Sequence, residues 1–123
     1  MISVNLSTRE PDDQIVVALL GELDVADAAS VAASLIAVVP HGAIVIVDLA
    51  ALDFIDSSGI AALVRARKHA RLSGGDLLLA APQQQMLRVL ALTRLAAVFS
   101  VHASIDEAAG SARPSRQVVA PAA

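Results

Sequence analysis

The uninterrupted apolar run Ala43-Ile44-Val45-Ile46-Val47, closing on Asp48-Leu49, constrains this chain more than any other feature. A β-branched run without polar alternation describes a strand covered on both faces, as in parallel sheets whose crossovers are helices. The run therefore belongs in the middle of a sheet within an α/β fold. Beyond it lies an acidic stretch, Asp53-Phe54-Ile55-Asp56-Ser57-Ser58-Gly59-Ile60, which leads into a helix-like segment. Backbone N–H groups in a helix's first turn lack internal partners, so small oxygen-bearing residues there cap the helix or accept a modification. Ser57 and Ser58 are the first candidates for chemistry, and Asp48 and Asp53 read as strand-end or loop residues.

The flanking segments complete the alternation. Ile2, Val4 and Leu6 alternate with polar residues, which predicts a strand with one buried face. A turn at Pro11-Asp12-Asp13 then joins it to a second strand, Ile15 to Leu20, as an antiparallel hairpin. Asp24 is placed to cap a helix from about Val25 to Val39, with Ala28, Ala32, Leu35 and Val39 on one face and Pro40-His41-Gly42 ending it. After the serines, Ile60, Leu63, Val64 and the stem of Arg67 should face inward on a helix to about Leu72, stopped by Ser73-Gly74-Gly75. A strand over Asp76 to Ala81, a helix begun by Pro82 and running to about Thr93, and a strand over Val98 to Val101 follow. Ser104 with Glu107 forms a capping box, so a short helix should begin at Ile105. From Gly110 on, Ser, Arg, Pro and Ala occur without periodicity, as in a disordered tail.

Composition removes several classes of function. No apolar stretch reaches the 18 or more residues of a membrane-spanning helix, and the first residues show no signal sequence, so a cytoplasmic protein without membrane insertion is expected. The absence of Cys removes disulfides and thiolate metal sites, and His41, His69 and His102 lack ligand spacing. A net charge of −3 and only two aromatic residues argue against nucleic acid binding. The basic cluster Arg65, Arg67, Lys68 and Arg71 reads either as a solvated helix face or as a rim that steers an acidic partner. No Gly-x-Ser-x-Gly elbow or phosphate-binding loop is present, so neither catalysis nor a cofactor is expected.

Val47-Asp48-Leu49 followed by Phe54-Ile55-Asp56-Ser57-Ser58-Gly59-Ile60 resembles the phosphorylation loop of the bacterial anti-sigma factor antagonists, which are single STAS domains. Gly21-Glu22-Leu23-Asp24 and Ser73-Gly74-Gly75-Asp76-Leu77-Leu78-Leu79 resemble two further signatures of that family, and the likeness runs from about Ile2 to Ala109. It implies a STAS domain over residues 1–110 with a tail at 111–123, built as a mixed sheet of four to five strands with an N-terminal antiparallel hairpin and about four packed helices. It also implies phosphorylation of the Ser after the loop Asp, here Ser57 with Ser58 as the second candidate; the residues alone do not choose between the two hydroxyls. Asp24, Asp56, Ser57, Ser58, Gly59 and Ile60 would form the partner surface. The implied partners are an anti-sigma factor that is also a serine protein kinase, and a serine phosphatase. Arg94 departs from the family pattern, which has Gly after the Leu-Thr pair, and so puts the local turn geometry in question. Two other readings are a STAS subunit of a transport or signalling assembly, such as a lipid transporter with its ATPase, and a response-regulator receiver. A receiver also needs an acidic pair after its first strand and a late Lys, yet Lys68 is the only Lys.

Overall fold

Strands and helices alternate as β1 (Ile2–Arg9), β2 (Gln14–Leu23), α1 (Val25–Val38), β3 (Ile44–Asp48), β4 (Leu52–Ile55), α2 (Ser57–Leu72), β5 (Asp76–Ala80), α3 (Gln84–Thr93), a 3-10 turn (Leu95–Ala97), β6 (Ser100–His102) and α4 (Ile105–Ala112). The computed structural model describes residues 2–9, 14–38 and 42–112. The turn expected at Pro11-Asp12-Asp13, the helix end at Val39-Pro40-His41 and residues 113–123 of the expected tail lie outside the described residues, whereas Gly110, Ser111 and Ala112, read as the start of that tail, are the last turn of α4.

The sheet has the order β1-β2-β3-β5-β6, with β4 also paired to β2. β1 and β2 form the antiparallel hairpin, in unbroken register from Ile2–Gly21 to Arg9–Gln14, and every other described pairing is parallel. As the apolar run demanded, Val45, Ile46 and Val47 are wholly buried. On one face Val17, Leu19, Val45, Val47, Leu77 and Leu79 pack with Val31 and Leu35 of α1 and Ile60 and Leu63 of α2. On the other face Val16, Ile46, Leu78 and Ala80 meet Ala108 and Ala109 of α4.

The architecture is the expected mixed α/β one, with six strands where four to five were counted. The additional strand is β4, whose four residues read buried-exposed-exposed-buried and so show no alternation. Its place depends on a tight turn after β3, held by Leu52 N–H to Leu49 O at 3.1 Å and Ala50 N–H to Asp48 Oδ1 at 3.1 Å. The chain then resumes its direction beside β2, whose first half pairs with β3 and whose last residues pair with β4.

Three local expectations are corrected, and the turn at Arg94 is defined. Val4 and Leu6 share a face with Leu19 and Val17 but are 40% and 56% exposed, because the helical layer packs on β2 and the strands beyond it and leaves the edge strand open. Pro82 precedes α3 instead of opening it, and β6 begins at Ser100, after the 3-10 turn. Arg94 adopts φ 60° and ψ 20°, the left-handed conformation that a Gly would take there, so the geometry of the turn is kept by a non-Gly residue.

Candidate functional site

β2 and β4 run parallel and stop together: Leu23 is in register with Ile55, and Asp56 N–H bonds to Leu23 O at 3.3 Å. Each strand then delivers an Asp that starts a helix. Asp24 Oδ1 accepts from Ala26 N–H at 3.0 Å, and Asp56 Oδ1 accepts from Gly59 N–H at 3.1 Å. Both therefore satisfy N–H donors that a helix start leaves unpaired. The two helices leave one rim side by side, and a seam of Ala28, Ala32 and Ala62 lets them lie close.

Because Asp56 is the cap of α2, Ser57 and Ser58 fall on its first two positions and are not needed as caps. The Ser57 side chain belongs to an exposed residue and Ser58 to a half-buried one, which favours Ser57 for access. Gly59 and Ile60, expected in the partner surface, are buried. A Cβ on Gly59 would stand 2.6 Å from Ile55 Cγ1 and 2.8 Å from Leu23 O, closer than side chains tolerate. Gly is what allows α2 to start against the end of β2.

Residues 5–108 match the STAS domain family. The chain belongs to that family. Its fold is shared with an anti-sigma factor antagonist from Mycobacterium paratuberculosis, at 24% identity and a TM-score of 0.80, covering 92% of this chain and 95% of the other. The Bacillus cell fate determinant SpoIIAA in its phosphorylated form aligns at 24% identity and a TM-score of 0.65, covering 90% of this chain and all (100%) of that one. A sulfate transporter family protein from Wolinella succinogenes aligns at 20% identity and a TM-score of 0.67, over 80% and 83% of the two chains. At these identities the likeness is one of fold.

In this STAS domain the serine rim is held by residues that the sequence patterns did not mark. Gln85 of α3 grips β4 as a neighbouring strand would, with Oε1 accepting from Ile55 N–H at 3.0 Å and Nε2 donating to Ile55 O at 2.9 Å. Gln83 Nε2 adds bonds to Ala50 O at 2.7 Å and Asp53 Oδ1 at 3.2 Å. The run Gln83-Gln84-Gln85 was the available signal, since amides are the side chains that can donate and accept as a backbone does. Val25, next to Asp24 in the chain, and Phe54, next to Asp53, are 74% and 41% exposed, so apolar side chains lie open beside the acidic ones.

Among the described residues no group of His, Asp and Glu is placed to hold a metal, and no helix is long and apolar enough to cross a membrane. His102 does meet Ser100, with Nε2 2.8 Å from Oγ, and its Nδ1 lies 3.7 Å from Glu107 Oε1. That carboxylate is beyond hydrogen-bond reach. Nε2 is shared with Ser111 Oγ at 3.3 Å, so the imidazole links α4 to the edge strand β6.

Proposed function

We propose that this STAS domain is a cytoplasmic anti-sigma factor antagonist. Unphosphorylated, it binds an anti-sigma factor that is also a serine kinase and so releases the sigma factor; phosphorylation of Ser57 ends the binding, and a serine phosphatase restores it. The observation that carries this reading is the exposed Ser57 at the first position of α2, with the capping duty already taken by Asp56. A kinase can reach this hydroxyl without opening the fold. The phosphate formed has free N–H groups and the positive end of the helix dipole beside it, so the domain has little reason to refold.

The effect then falls on the partner. A phosphoserine adds about −1.5 to −2 charges to a rim that already carries Asp24 and Asp56. A like-charge contact at ~4 Å in a partly screened interface costs on the order of 4 kcal/mol, which is nearly a thousandfold in affinity. Calorimetry against the cognate anti-sigma factor should find Ser57→Ala binding as tightly as the unmodified protein and Ser57→Asp at least tenfold weaker. Equal affinities for the two variants would refute the switch. Incubation with that partner and ATP should add one phosphate by intact mass, and Ser57→Ala should gain none. A STAS subunit serving a transport assembly structurally would gain none in either form.

A further inference from the structure

We propose that the far end of α2 is a second docking surface, which receives an acidic amphipathic helix of a partner protein whatever the state of Ser57. The surface is a groove of about 470 Å³ lined by Val64, Arg67, Lys68, Arg71 and Leu72 of α2 and by Val98. Its floor is apolar and open: Leu72 is 80% exposed and Val98 36%. Leu72 has no packing duty in the core, so its exposure is available to a partner. The wall is cationic. Arg67 Nε and Arg71 Nη1 each stand 3.3 Å from Asp76, so one carboxylate serves two guanidinium groups, and Lys68 has no ion-pair partner among the described residues.

Charge decides the occupant. Glu22, Asp24, Asp27, Asp48, Asp53 and Asp56 gather where β2, β3 and β4 end, whereas Arg65, Arg67, Lys68 and Arg71 gather on the last turns of α2. With a rise of ~1.5 Å per residue, Leu72 lies about 22 Å from Ser57 along the helix axis. Both surfaces can thus be occupied together, and at this distance an added phosphate is screened from the groove by physiological salt. The chain's own C-terminal segment brings Arg113 and Arg116 and no acidic side chain, which is the wrong charge. Among the described residues, a second copy offers its carboxylates at strand ends and helix starts, not along one helix face. A helix with Leu-type residues at i, i+4 and i+7 and Asp or Glu beside them matches both the floor and the wall.

The test is selection from a phage-displayed library of 16-residue peptides, with Leu at those spacings and the flanking positions randomised, against the full chain. Enriched peptides should carry acidic flanks, and a synthetic copy should shift the backbone amide signals of Val64, Lys68, Leu72 and Val98. Its affinity should fall at least tenfold in Lys68→Glu and in Leu72→Ala, both solvent-facing changes whose folding the amide spectrum checks, and stay unchanged in Ser57→Asp. Failure to enrich any peptide, enrichment of neutral or basic flanks, or a footprint on Asp24 and Asp56 would each overturn the proposal. Sedimentation of the chain with phosphatidylglycerol vesicles, abolished by Lys68→Glu, would overturn it as well by making the patch a membrane face. None of these outcomes bears on phosphate transfer to Ser57, so the two readings stand or fall separately.

Discussion

Two residues at turns show how one position carries a constraint for its neighbours. Asp56 takes the capping bond from Gly59 N–H, and this leaves the Ser57 hydroxyl exposed and uncommitted in the first turn. A Ser in the capping position would have its oxygen turned toward the helix N–H groups, where a kinase competes with the backbone for it. Arg94 is the opposite case, a side chain held where Gly fits better. The left-handed conformation costs a non-Gly residue roughly 1–2 kcal/mol, part of which Gly gives back through its freer unfolded state. Arg94→Gly should therefore stabilise the domain by about 0.5–1 kcal/mol, read as a rise of about 2–4 °C in the thermal midpoint. A fall would show that the Arg94 side chain contributes contacts worth more than the strain.

At the scale of elements, the short strand β4 does more than its length suggests, because it carries the serine rim away from β3 and sets it against the end of β2. One long edge of β4 has a strand partner, and Gln85 closes part of the other with two bonds to Ile55. Gln85→Ala would leave the N–H and C=O of this buried residue unpaired, a loss of about 1–3 kcal/mol. Faster amide exchange at Ile55 and Asp56 should accompany the lower midpoint; Gln85→Glu should recover only the bond accepted from Ile55 N–H. Gly59→Ala tests the joint between α2 and β2. The added methyl meets Ile55 and the backbone of Leu23, so a loss of about 1–3 kcal/mol is expected in chemical denaturation, with weaker partner binding as the serines are pushed outward. Unchanged stability would mean that α2 can shift without strain.

For the molecule as a whole, the consequence of the proposed switch is locality. The strands β2, β3 and β5 carry core on both faces, and the serine rim joins the sheet at the ends of β2 and β4, so charge added there is expected to act where it is placed. Amide spectra before and after phosphorylation should differ at residues 22–27 and 53–61 and coincide over β5, β6 and α4. Shifts spread through α4 would replace an electrostatic switch with a conformational one. The separation of acidic strand ends from basic helix ends is likewise a property of the whole, since no single segment displays both poles.

The sequence by itself determined the α/β class, the central strand, the hairpin, the start of α1 at Asp24 and the place of Ser57 and Ser58 at the start of a helix, because each is written in short-range chemistry: an apolar run, a period, a cap. The capping box at Ser104 is of the same kind, and Glu107 N–H does bond to Ser104 Oγ at 3.0 Å. Only the tertiary structure decided that β4 exists, that Gln85 stands in for a missing strand, that Gly59 is interior, and that Val4 and Leu6 lie open. Those facts depend on what lies across the sheet or on the next helix. Partners thirty residues away, as Gln85 is from Ile55, leave no periodic trace in either segment.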